Sequence, residues 1–130
     1  LGAARLALVA KHRPQAEMAE MVEMVGEVEG RTAIIVDDMV QSGGTIIECA
    51  HMLKRRGAHD VYVCATHPVF AGDAISAIKA SPITKVIVTN TIPVDREQCG
   101  DRIEVLTVAP LLAEAIQRIH KDVSLSTLFV

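Results

Sequence analysis

Short apolar runs that stop at turn residues alternate along this chain with longer amphipathic runs, and that alternation is what most limits its possible folds. A strand buried on both faces reads as a continuous apolar run of roughly four to eight residues, whereas a connecting helix shows apolar residues three and four apart. Residues 6–9, 32–37, 61–65, 86–89 and 103–107 carry the first pattern. The second begins at Gly44, where "GTIIECAHMLKRRGA" puts Ile46, Ile47, Ala50 and Leu53 on one face. That helix ends in Lys54, Arg55 and Arg56, which suit the negative helix terminus, and Gly57 can take the left-handed cap. A second helix is predicted over residues 72–80. A third, "APLLAEAIQRIHK", has Pro110 near its first turn and Leu111, Leu112, Ala115, Ile116 and Ile119 expected to face inward. Residues 18–28, "MAEMVEMVGEV", fit either an extended segment or a short helix. The loops around Pro14 and from Pro93 to Asp101 are the polar breaks. Strand, helix, strand in succession predicts an α/β domain built on a parallel, three-layer sheet.

At 130 residues the chain is one domain's length. A net charge of −3 argues against a nucleic-acid partner, and 2% aromatic residues leave no platform for stacking bases. No apolar run approaches the roughly 20 residues that span a bilayer, and no secretory pattern is present, so no membrane partner and a cytoplasmic location are expected. Cys49, Cys64 and Cys99 match neither a zinc spacing nor a disulfide framework and read as reduced structural thiols. The opening "LGAARLALVA" lacks an initiating Met, which suits a processed protein or a segment of a longer one.

The chemistry concentrates in "AIIVDDMVQSGGTII", residues 33–47. An apolar strand breaks at two carboxylates, Asp37 and Asp38, and Ser42, Gly43, Gly44 and Thr45 lead into a helix. Ligands of parallel sheets bind outside the C-terminal strand ends, and a helix N-terminus offers open N–H groups to an anion. The lysine of a Walker loop and the G-x-G-x-x-G of a Rossmann loop are both missing. Carboxylates accept hydrogen bonds from vicinal hydroxyls, so a ribose phosphate fits both ends of this stretch.

"VDDMVQSGGTI" resembles the phosphoribosyl diphosphate (PRPP) loop of the type I phosphoribosyltransferase fold. The wider chain is similar to the C-terminal domain of the ribose-phosphate pyrophosphokinase (PRPP synthetase) family. The segments that carry this are "KHRP", "VGEVEGRTAIIVDDM", "THPVFAG", "VTNTIP", "LLAEAIQRIH" and "SLSTLF". The resemblance implies transfer of the diphosphoryl group of ATP to the C1 hydroxyl of ribose 5-phosphate, with Mg²⁺. It assigns the ribose hydroxyls and associated Mg²⁺ to Asp37 and Asp38. The 5-phosphate falls to the loop of Gln41, Ser42, Gly43, Gly44 and Thr45. Lys11 and Arg13 match the K-x-R pair that closes over the ATP phosphates, as the catalytic cations of an in-line transfer. Ser124, Ser126 and Phe129 match a regulatory phosphate or ADP site. The family usually carries Asp-Thr at Gln41-Ser42 and tyrosine at Thr127. His67 ends a strand and reads as a cleft residue or an ordinary loop histidine, and it is left off the catalytic set. His51, His59 and His120 read as solvated.

The expectation is therefore a single C-terminal domain over residues 1–130, without the ATP-binding half and inactive alone, from an enzyme that assembles as dimers into hexamers. Two further readings stay open: a non-catalytic PRPP synthetase-associated subunit, and a salvage phosphoribosyltransferase, which the later motifs disfavour.

Overall fold

The computed structural model describes residues 8–12 and 21–129. Strands β1 (Leu8–His12) and β2 (Met21–Val25) form an antiparallel ribbon of their own. The ambiguous segment is thus extended over Met21–Val25, where Met and Val alternate with Glu. The run expected at residues 6–9 becomes a strand from Leu8; Leu6, like Pro14, lies outside the described residues.

The body of the domain is a four-stranded parallel sheet in the order β3 (Thr32–Val40), β4 (Asp60–Pro68), β5 (Lys85–Thr89), β6 (Ile103–Leu106). Helix α1 (Gly44–Arg55) joins β3 to β4, and α2 (Ala74–Ala80) joins β4 to β5. Right-handed crossovers that advance in one direction place their helices on one face of the sheet. The core lies there: Ile46, Ala50 and Leu53 of α1 and Ile78 of α2 pack with Val61, Val63, Val86, Val88 and Ile103. Each fully buried aliphatic side chain contributes roughly 1.5–3 kcal/mol. The first helix closes as expected: Gly57 has φ +85°, and the Ala58 N–H donates to the Leu53 carbonyl while the Gly57 N–H donates to that of Lys54.

Three details differ from the sequence reading. The second helix starts at Ala74 because Gly72, at φ +60°, still belongs to the turn. The break at 93–101 contains a short helix, α3 (Arg96–Cys99), because the Asp95 carboxylate accepts from the Glu97 N–H and caps it, before a 3₁₀ turn over Gly100–Arg102. The largest difference is α4 (Ala109–His120), which buries none of its residues. Leu111, Leu112, Ile116 and Ile119, expected inside, are 49%, 55%, 67% and 62% exposed, and only Ala115 of that stripe is half-buried. Helices α1 and α2 already occupy the core face, so the stripe has no partner there. The opposite sheet face is open as well, with Ile34 and Val36 exposed.

Cys49 and Cys99 are buried free thiols and Cys64 is a half-buried one, as the structural reading requires. Burial pushes the Cys49 thiol pKa up, with the nearby Glu48 charge adding to it, and burial likewise raises Cys99. His51, His59 and His120 are exposed. Among the described residues no helix is long and apolar enough to cross a membrane.

Candidate functional site

Asp37 and Asp38 fall at the C-terminal end of β3, where successive side chains point to opposite faces. Asp37 is half-buried and Asp38 exposed. The Asp37 carboxylate accepts from the Asp38 N–H at 2.9 Å, which fixes its rotamer. Five residues after Asp38 the backbone turns sharply at Gly43, whose φ of 80° and ψ of −10° lie in the left-handed region. Gly43 is also the N-cap of α1, and its carbonyl accepts the first helical hydrogen bond, from the Ile47 N–H at 3.0 Å.

A glycine cap has no side chain with which to satisfy the first-turn N–H groups, and no acidic residue sits in that turn. The helix therefore presents open donors and its positive dipole end to an incoming anion. Ser42 and Thr45 are exposed, with hydroxyls available beside those donors. The segment after β4 braces the turn: the Phe70 N–H donates to the Val40 carbonyl and the Ala71 N–H to that of Gln41, each at 3.0 Å.

Together residues 37–46 line a cleft of about 210 Å³. It joins two unlike chemistries: a carboxylate pair that accepts from hydroxyls or faces a cation, and a helix terminus with hydroxyls that donate to an anion. The carboxylates offer hard oxygens of the kind Mg²⁺ uses. Among the described residues no group of three or more His, Cys, Asp or Glu could hold a metal by itself. Two carboxylates by themselves leave most of the coordination positions of such a cation to waters or to a ligand.

The other expected residues lie on other segments of the chain. Lys11 lies on the separate ribbon, opposite Val22, and Arg13 is outside the described residues. At the C-terminus, the Arg118 guanidinium donates to Thr127 Oγ1 at 2.7 Å, to the Ser124 carbonyl at 3.1 Å and to Glu114 at 2.8 Å. The Ser124 and Ser126 hydroxyls are 2.8 Å apart. Phe129 closes the final 3₁₀ turn, Ser126–Phe129. Neither Ser124 nor Ser126 is among the described residues that line the cleft. What the sequence did not reveal is a set of hydroxyls at the ends of β4 and β5, where Thr89 Oγ1 donates to the Thr66 carbonyl at 2.7 Å and His67 Nδ1 meets Thr91 Oγ1 at 2.9 Å.

Comparison with known proteins shows what the chain is similar to. The model of the phosphoribosyl synthetase-associated domain matches residues 6–130. A ribose-phosphate pyrophosphokinase of Caldanaerobacter subterraneus subsp. tengcongensis is 48% identical over 126 residues, which are 97% of this chain and 40% of the relative. That of Aquifex aeolicus is 44% identical over 124 residues, 95% of this chain and 40% of its own length. The crystal structure of phosphoribosylpyrophosphate synthetase from Mycobacterium smegmatis superposes with a TM-score of 0.83 at 36% identity, covering 93% of this chain and 38% of that one. The chain thus spans about two fifths of the relatives it matches. With the match running from residue 6 to residue 130 over the parallel sheet and its strand-end cleft, the chain belongs to the phosphoribosyl synthetase-associated domain family.

Proposed function

We propose that this chain is the sugar-phosphate-binding, C-terminal part of a ribose-phosphate pyrophosphokinase, which transfers the diphosphoryl group of ATP to the C1 hydroxyl of ribose 5-phosphate. The observation that carries the reading is the single cleft over residues 37–46, which joins the carboxylate pair to an uncapped helix terminus. Asp37 and Asp38 accept hydrogen bonds from the ribose hydroxyls. The N–H groups at the start of α1, with Ser42 and Thr45, hold the 5-phosphate, and Gln41 carries no charge to repel it. The glycine backbone lets the phosphate approach without a side chain between.

Mg²⁺ suits the two carboxylates and a polyphosphate; when bound it neutralises charge on the transferred group. Lys11 and Arg13 supply fixed positive charge to the same end. In this reading the rest of the ATP site lies outside this chain, so the chain by itself binds ribose 5-phosphate and makes no product. Ser124, Ser126 and Phe129 form a regulatory anion site in this reading. The setting is a cytoplasmic homo-oligomer.

The test is calorimetric titration of the chain with ribose 5-phosphate and Mg²⁺, beside an Asp37→Asn, Asp38→Asn variant. Binding by the wild-type chain that falls at least tenfold in the variant supports the reading. Equal affinity in both, or no binding by either, overturns it. A chimera carrying the remaining part of the Aquifex relative then separates enzyme from regulator: an active chimera supports catalysis, and a folded, ligand-binding but inactive one assigns this chain a supporting role.

A further inference from the structure

The hydroxyl cluster at the ends of β4 and β5 fixes the ring of His67. Its Nδ1 lies 2.9 Å from Thr91 Oγ1. Thr91 Oγ1 lies 3.2 Å from the Thr66 carbonyl, Thr89 Oγ1 lies 2.7 Å from the same carbonyl, and the Thr91 N–H donates to Thr89 Oγ1 at 3.3 Å. A threonine hydroxyl has one proton to give. If Thr91 gives it to the Thr66 carbonyl, or to Thr89 Oγ1 at 3.2 Å, Nδ1 must carry the ring proton and donate to Thr91, and four of the five contacts are hydrogen bonds. If Thr91 gives it to Nδ1, its contact with the carbonyl is lost. The first arrangement is the better satisfied. It leaves the lone pair of the neutral ring on Nε2, which has no partner among the described residues.

The position of His67 is equally specific. In the β3–β4 register Asp37 pairs with Ala65 and Met39 with His67. Adjacent strands run about 4.8 Å apart, so His67 stands one strand away from the carboxylate segment, at the same C-terminal edge. The chain then continues alongside the loop through the Phe70–Val40 and Ala71–Gln41 hydrogen bonds. His67 is half-buried.

We propose that His67, which pairs with the lining residue Met39 rather than lining the cleft itself, is an additional ligand-binding residue at this edge of the sheet: its Nε2 accepts a hydrogen bond from a hydroxyl of the bound sugar, with the ring oriented by Thr91. The inference rests on the sugar-phosphate reading above and deepens it. A carboxylate pair accepts hydroxyl protons over a wide range of directions. A neutral imidazole held at Nδ1 accepts one, along the ring plane, and so selects the orientation of the sugar.

The experiment titrates the full chain with ribose 5-phosphate and Mg²⁺ in four forms: wild type, His67→Asn, His67→Gln and Thr91→Val. Asparagine reproduces the Nδ1 contact with Thr91 but has nothing at the Nε2 position; glutamine reaches that position with its amide oxygen. Loss of one hydrogen bond predicts that His67→Asn binds about three- to tenfold more weakly. His67→Gln recovers part of the loss, and Thr91→Val gives a smaller one. A role confined to holding the strand ends would leave His67→Asn at wild-type affinity. A second readout needs no variant: the ¹⁵N resonance of His67 Nε2 moves on saturation with ribose 5-phosphate. Asparagine at wild-type affinity, or an unmoved resonance, overturns the role of His67. If the Asp37→Asn, Asp38→Asn variant has nevertheless lost binding, the cleft reading survives. No binding by the wild-type chain overturns both.

Discussion

Alanine substitution at two adjacent glycines separates backbone conformation from helix propensity in the loop. Gly43 sits at φ +80°, and a Cβ added there would meet Ile47 Cδ1 and Ile78 Cγ1 at 3.5 Å, which is ordinary contact. The cost of Gly43→Ala is thus conformational. Placing an L-residue in the left-handed region costs about 1–2 kcal/mol. Restricting the unfolded chain returns about 0.4–1 kcal/mol, so the expected net loss is about 1 kcal/mol. Gly44 is the first helical residue, free of positive φ, and its added Cβ would touch only Ser42 Oγ at 3.7 Å. Alanine there gains about 0.5 kcal/mol from unfolded-state restriction and helix propensity. The two variants should differ by about 1.5 kcal/mol, or about 6 °C in melting midpoint for a domain of this size. Urea and thermal unfolding followed by circular dichroism measure both. A Gly43→Ala protein as stable as wild type, or a Gly44→Ala protein that falls equally far, would refute the division of the loop into a left-handed cap and a helical first residue.

Three further outcomes follow from packing and charge. Ile78→Ala, at a site 1% exposed, should lose about 2–5 kcal/mol, whereas Ile116→Lys on the open stripe of α4 should stay within about 0.5 kcal/mol of wild type in urea denaturation; comparable losses would mean that α4 is buried. Asp60 has its pKa held below the ordinary 3.8, first by its hydrogen bond with His59 and also by Thr84. A depressed carboxylate pKa stabilises the fold above its unfolded value and loses that contribution as pH falls through the folded one, so Asp60→Asn should flatten the loss of stability below about pH 4; an unchanged acid limb would contradict this. Native-state titration with Ellman's reagent should label Cys64 quickly and Cys49 and Cys99 only after denaturant is added, and rapid release of all three thiols would show that the core is open.

What could be read before the structure, and what could not, divides by the range of the interaction. The cleft over residues 37–46 is contiguous: one strand end, one turn and one helix start carry both its chemistry and its backbone, so spacing alone exposes it. The Gly57 cap and the apolar runs of the four strands are local in the same sense, whereas the pairing of those strands is not. The apolar stripe of α4 is different, since its periodicity states that a face can be covered but not which surface covers it. Leu112 and Ile116 show how far amphipathicity falls short of a packing partner. The pair Lys11 and Arg13 is read from a motif, and the relation of that ribbon to the cleft is a matter of chain folding rather than spacing. His67 lies at the far limit. Its partner Thr91 is 24 residues away in the turn after β5, and its neighbour Met39 is 28 residues before it. In the sequence it is a histidine before a proline. The parallel register places it opposite Met39, two residues beyond Asp37, and its Nδ1 contact with Thr91 orients the ring, so the proposed role rests on the fold rather than on spacing.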